Sequence, residues 1–207
     1  MYSSYLPPEY SGAALQALAL ATQLRALGHH IEFVTLRWPG MSVTDVIDGF
    51  PVTRLEAGRG TKHRELRLWW NLYRFLRRRR GDFDIVHGHG AYYKDAVIGP
   101  MARHFGLCAL SKASLAQNDL HDLGRSITGR IHRAMLRRVD ACIAISRELQ
   151  AEFIAGGISP AKIHHLPNGV DTERFRPADA GEKRRLRERF GLPADRKIAL
   201  FVGVLDE

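Results

Sequence analysis

Cysteine is nearly absent: Cys108 and Cys142 are the two thiols in 207 residues. Each sits inside an apolar run, GLCAL and ACIAI, which excludes a disulfide framework. Free, buried thiols in a reducing compartment are the expectation. No apolar run approaches the roughly 18 residues of a membrane span. The amino terminus, MYSSYLPPEYSG, has neither the basic start nor the apolar stretch of a secretory signal, so cytoplasm is the expected location. No internal repeat or low-complexity tract is visible. Acidic residues are outnumbered, 22 Asp+Glu against 31 Lys+Arg, giving a net charge of +9. That excess points to anionic partners or to solvated arginine on helix backs.

What is present is alternation. Residues 13–27 carry a helix signal with Leu20, Leu24 and Leu27 on one stripe and Gly28 as the stop. Strand signals follow at 31–36 and 50–55, a helix at about 63–80, a strand at 84–88 and a helix at 91–105. A strand at 107–113, a basic helix at about 123–138 and a strand at 140–146 come next, with Ser146 as cap of the helix RELQAEFIAGG. KIHHLPNG gives a strand and a turn. Strands alternating with helices at this spacing predict an α/β fold with a parallel sheet. No strand signal leads into the first helix, where only Tyr2 to Leu6 are available, and Ile198 to Gly203 read as a strand with no partner.

Four stretches carry candidate chemistry. PPEYSGAAL puts Ser11-Gly12 at the start of the first helix, whose free N–H groups suit a phosphate or a sugar hydroxyl. An ordinary helix start capped by Ser11 fits equally. Ala13 and Ala14 stand where a dinucleotide fingerprint needs more glycine, which counts against a dehydrogenase. DIVHGHG places His87 and His89 on one face at the carboxyl end of a strand, the edge where ligands bind in open α/β sheets. No neighbouring acid or cysteine completes a metal set, and His89, flanked by glycines, is the cleft candidate beside a purely packing role. SLAQNDLHDL offers Asn118, Asp119 and Asp122 on the same rim, Asp122 doubling as a helix cap. Asn168-Gly169 is a turn signal. On the 63–80 helix, Leu66, Trp69, Trp70, Tyr73 and Leu76 form the expected apolar stripe, and Arg77 to Arg80 a basic run free to touch anionic lipid.

Taken together, PPEYSG, GHHIEFVT, DIVHGHG, ACIAISRELQAEFIAGGISPAKIHHLPNGVDTERFRP and ALFVGVL resemble the family 4 glycosyltransferases of the GT-B fold. The likeness runs from about Leu6 to Leu205. It implies two Rossmann-like domains facing a cleft, with residues 1–171 as the acceptor-side domain, its first strand mostly missing. Residues 172–196 would be a linker and 197–207 the first strand of the donor domain. The implied reaction moves a hexosyl group from a nucleotide sugar to a hydroxyl acceptor with retained configuration and no metal or cofactor, and the fragment alone is expected to be inactive. Ser11, Gly12, Asn118 and Asp119 would then bind substrate, His89 would act in catalysis, and Asn168 and Gly203 would lie on the donor side. Two departures stand out: Val204 follows Gly203 where the family has Arg, and Lys112-Ala113-Ser114 stand where members often carry His. A non-enzymatic module binding a nucleotide or an anionic surface is the alternative; nucleic acid is not an expected partner.

Overall fold

The computed structural model describes residues 1–9, 11–57, 61–120, 123 and 125–201. It divides into two compact units, Met1–Gly169 and Val170–Glu207.

The first unit is built on one sheet. Its strands are β1 (Tyr2–Ser3), β2 (Phe33–Arg37), β3 (Thr44–Ile47), β4 (Phe50–Glu56), β5 (Ile85–His89), β6 (Cys108–Ala113), β7 (Ala141–Ala144) and β8 (Ile163–His165). Their spatial order is β3-β4-β2-β1-β5-β6-β7-β8, parallel except for β3 against β4. The helices are α1 (Gly12–Ala26), α2 (Thr61–Arg79), α3 (Ile98–Phe105), α4 (Ile127–Leu136) and α5 (Arg147–Ala155). This is the α/β, Rossmann-like arrangement expected from the alternation.

A strand does lead into α1. Tyr2 pairs with Val34 of β2 and Gly88 of β5, and Ser3 with His89, so two residues complete the central ladder. The Tyr2 ring, 1% exposed, joins the core in place of a longer apolar run. β3 has no counterpart in the sequence reading. It is an exposed antiparallel edge strand joined to β4 by Asp48 and Gly49, both at positive φ, the conformation that suits a two-residue hairpin.

Two helix faces differ from expectation. α1 buries Ala14, Ala17, Leu18 and Ala21, whose small side chains let the helix lie close to the sheet, and leaves Leu27 exposed. α2 buries Leu68, Leu72 and Leu76, spaced four apart, against β4 and α3. Leu66 and Trp70 therefore point to solvent. Ser126 and Ser146 cap α4 and α5 by accepting from Gly129 N and Leu149 N. Both cysteines are free. Cys142 is buried and its thiol pushed up to about 12 by burial, whereas Cys108, the first residue of β6, is exposed, contrary to expectation.

The second unit contains α6 (Ala180–Arg189), capped by Asp179, which accepts from Glu182 N. Arg187 donates to the carbonyls of Pro193, Ala194 and Arg196, holding the following turn. Residues 198–201 form no strand, and Ile198, Leu200 and Phe201 are exposed. The described part of this unit offers them no partner strand, and a lone strand cannot satisfy its backbone. Gly203 and the rest of the expected strand lie outside the described residues.

Candidate functional site

Strand order reverses between β1 and β5. From β1 the chain proceeds outward through β2, and from β5 it proceeds the other way. Loops leaving the carboxyl ends of these two strands diverge to opposite faces and open a crevice. A cavity of about 450 Å³ occupies it. Ser3, Ser4 and Tyr5 enter from β1, and Ser11, Gly12, Ala13 and Gln16 from the start of α1. His89, Gly90, Tyr92, Lys94 and Asp95 come from the end of β5, Lys112, Ser114 and Leu115 from β6, and Asn168 closes one side.

Of the residues picked from the sequence, Ser11, Gly12, His89 and Asn168 meet in this cavity. Ser11 sits at the N-cap of α1 with extended backbone, yet its hydroxyl makes no capping bond. The first N–H groups of α1 thus face the crevice without a side-chain acceptor from Ser11. Gly12 has open space where a Cβ would stand.

His87 and His89 share one face of β5, as strand periodicity requires, and their rings lie 4.2 Å apart. His89 is 4% exposed, and neither ring nitrogen has a hydrogen-bond partner among the described residues. Burial, then the neighbouring His87 and Lys112, hold its pKa well below the usual imidazole value. His87 is pushed down to about 4 by burial, with the Met1 ammonium and Lys112 adding to it. Both rings are neutral near pH 7. A neutral imidazole donates from one nitrogen and accepts at the other, which suits a bound hydroxyl. Among the described residues no group of three His, Cys, Asp or Glu side chains is placed to hold a metal ion.

Asn118 and Asp119 do not line the cavity. Asn118 is exposed at the surface. Asp119 is buried, and its Oδ2 accepts from Ser114 N at 2.8 Å and Leu115 N at 3.3 Å. It therefore fixes the loop after β6 that forms one wall, and acts on the cavity through that loop. Burial raises its pKa, and the two amides oppose the rise. Asp122 lies outside the described residues.

Several wall residues had escaped the sequence reading. Asp95 is 2% exposed and accepts from Ser4 Oγ at 2.6 Å, and burial pushes its carboxyl up to about 6. Tyr92 is pushed up to about 12 by burial and the nearby Asp119 charge. The Lys94 ammonium rests 5.2 Å from the Tyr5 ring and 5.8 Å from the Tyr92 ring. Lys112, noted in the sequence only as a departure, stands in the cavity wall with its pKa lowered by burial. The signal that could have found Lys94 and Asp95 is AYYKD, a charged and aromatic cluster immediately after a strand end.

The model of Glycosyltransferase Family 4 matches residues 10–174. A GDP-mannose-dependent alpha-(1-6)-phosphatidylinositol monomannoside mannosyltransferase of Mycolicibacterium smegmatis is 34% identical over 130 residues, 60% of this chain and 32% of that protein. A D-inositol 3-phosphate glycosyltransferase of Kineococcus radiotolerans is 28% identical over 213 residues, 93% of this chain and 48% of that protein. This chain thus spans about half or less of the curated relatives it matches. Among solved structures, Anabaena HepE in complex with UDP and glucose superposes with a TM-score of 0.62 at 15% identity, over 92% of this chain and 50% of that one. WaaG, a glycosyltransferase involved in lipopolysaccharide biosynthesis, gives 0.60 at 18% identity, over 92% and 50%. These two likenesses establish the fold. With a family match that runs from α1 past β8, across the strands and helices that enclose the cavity, the chain belongs to glycosyltransferase family 4.

Proposed function

We propose that this chain is the acceptor-side domain of a retaining glycosyltransferase, and that the cavity between β1, β5 and β6 holds the acceptor. The observation that carries the reading is His89: a neutral imidazole at the ligand-binding edge of the sheet, buried, with both nitrogens unpaired. Burying such a ring without partners costs free energy that a bound hydroxyl would offset. In the reaction, the bond from the anomeric carbon to the donor's diphosphate oxygen breaks. A bond from that carbon to the acceptor oxygen forms, and the acceptor hydroxyl gives its proton to the departing diphosphate oxygen, which has taken the electron pair of the broken bond. His89 orients the hydroxyl, Ser11 and the first amides of α1 approach the transferred sugar, and Asn168 faces the donor side. Holding the hydroxyl in a near-attack position is this domain's contribution. Charge on the departing diphosphate is met by basic groups and helix N-termini, without a metal.

The test is transfer itself. Incubated alone with GDP-mannose or UDP-glucose and a hydroxyl acceptor, residues 1–207 give no product. Joined to a donor-binding domain after Phe201, the same chain transfers the sugar with its anomeric configuration kept. Product from the chain alone, or inverted product from the joined protein, overturns the reading.

A second feature bears on where the acceptor lies. Trp70 is 56% exposed on α2 and stacks on Tyr73 at 5.8 Å, beside exposed Arg74, Arg77, Arg78 and Arg80. An outward indole next to a basic run suits the boundary of an anionic lipid surface. We propose peripheral contact there. No helix among the described residues is long and apolar enough to cross a membrane.

A further inference from the structure

Asp95 is a buried carboxyl that ties two walls of the cavity together. β1 pairs with β5 at Tyr2–Gly88 and Ser3–His89, and that ladder ends there. Beyond it the backbone of β5 turns to β6, with Gly90 N donating to Lys112 O at 2.9 Å. A side-chain link then takes over between the β1 and β5 sides. Ser4 Oγ donates to Asp95 Oδ1 at 2.6 Å, buried, between residues 91 positions apart in sequence. Gly90 leaves room for the other carboxyl oxygen: a Cβ there would stand 2.9 Å from Asp95 Oδ2. The carboxyl therefore lies between the residue after β1 and the residue after His89.

Its burial points to a role in geometry rather than in stability. Asp95 is 2% exposed, and burial pushes its pKa up to about 6, with the Ser4 bond and the Lys94 charge pulling the other way. At neutral pH it is a buried carboxylate whose lost hydration a hydroxyl donor only partly offsets. What the charge adds is a shorter and stronger bond than a neutral pair would make. Farther along the loop, the buried Arg54 donates from Nη2 to Pro7 O at 3.3 Å and pairs through Nη1 with Asp45 at 2.9 Å. The chain between β1 and α1 is thus held at its root by Asp95 and midway by Arg54, and the amino end of α1 follows from both.

We propose that Asp95 is a positioning residue: through Ser4 it fixes the root of the β1–α1 loop against β5, so that the amino end of α1 and His89 stand in a set relation across the cavity. The proposal rests on the reading of this cavity as the acceptor site, with the reacting hydroxyl at His89 and the transferred sugar near α1. Asp95 touches neither. Its effect is on their alignment, where a displacement of about 1 Å lowers the rate by up to roughly 100-fold.

Hydrogen exchange of the 207-residue chain, read by mass spectrometry, tests the link from each side. Ser4→Ala speeds exchange about ten-fold in residues 90–98, and Asp95→Ala does the same in residues 4–16. The double variant adds nothing beyond the larger single effect. Asp95→Asn, which keeps an acceptor oxygen without the charge, falls between the parent and Asp95→Ala, yet melts no lower than the parent at pH 7. Ser4→Ala and Asp95→Asn carry the comparison where Asp95→Ala fails to fold. Exchange that quickens only in the substituted segment overturns the proposal, as do additive effects in the double variant. So does a rise in exchange throughout the chain with a lowered melt, which is a stability role alone. In the joined two-domain protein, Ser4→Ala lowers kcat about ten-fold with both KM values kept. A raised acceptor KM at unchanged kcat also overturns it, since the pair would then contact the acceptor itself. Where the unsubstituted joined protein gives no turnover, the acceptor-site reading falls and the exchange result alone decides the link.

Discussion

His87 and His89 lie with ring centroids 4.2 Å apart on the same face of β5, and only His89 reaches the cavity. His87, two residues earlier on the strand, is buried as well and lies near the Met1 ammonium and Lys112. The pair forms a layer of neutral imidazole under a site whose walls carry charge.

That layer makes the fold acid-sensitive. The His87 pKa falls from 6.5 in the unfolded chain to about 4 in the folded one, and burial depresses His89 in the same direction. Between those values the unfolded chain binds more protons, so stability is present at neutral pH and is lost as pH falls from about 6.5 toward 4. Asp95 opposes this. Its pKa rises from 3.8 to about 6, so it costs stability as pH climbs through the same window. Melting temperatures across pH 4–7 therefore fall more steeply on acidification in Asp95→Asn than in the parent, and less steeply in His87→Gln. Parallel curves for all three contradict the assignment.

Asp119 works through the loop it holds. Asp119→Ala leaves the Ser114 and Leu115 amides without their acceptor and lowers stability by about 1–3 kcal/mol. Asp119→Asn keeps an acceptor oxygen and loses less. In the joined two-domain protein, Asp119→Ala raises the acceptor KM several-fold and leaves the donor KM alone. A shift in the donor KM instead assigns the loop to the other substrate.

Gly99 measures how closely α3 meets α4. A Cβ there would lie 2.7 Å from Met135 O and 2.9 Å from Val139 Cγ1, and the first of these is backbone that cannot swing away. Gly99→Ala consequently destabilises the chain by about 1–3 kcal/mol, read as a drop in the urea midpoint at unchanged slope. A midpoint within error of the parent contradicts the packing.

The outward face of α2 predicts lipid binding that depends on charge. Vesicles of phosphatidylglycerol and phosphatidylcholine sediment the chain, and pure phosphatidylcholine does not. Trp70→Ala, or Arg77 and Arg78 both changed to Gln, lowers the bound fraction several-fold without shifting the melt. Equal binding to both kinds of vesicle removes the surface from the account.

Much of the sheet was legible because β2, β4, β5, β6 and β7 carry runs of apolar and β-branched residues at helix-separated intervals. β1 was not, since two residues show no periodicity and only pairing with β2 and β5 defines it. β3 is mostly exposed and so lacks the apolar signature, although Asp48-Gly49 was a hairpin signal available to reading. Helix faces were misjudged where alanine packs closer than leucine, on α1, and where aromatics drew attention from the Leu68, Leu72 and Leu76 spacing, on α2. Within the site, His89 was legible from its strand-end position. Lys112 was not, because its burial in the cavity wall arises from residues distant in sequence.

The most direct measurement is acceptor kinetics of His89→Ala in the joined two-domain protein. The account predicts kcat/KM for the acceptor reduced by about 100-fold or more, with the donor KM and the fold intact. An unchanged kcat/KM for the acceptor, or a loss confined to the donor KM, contradicts it.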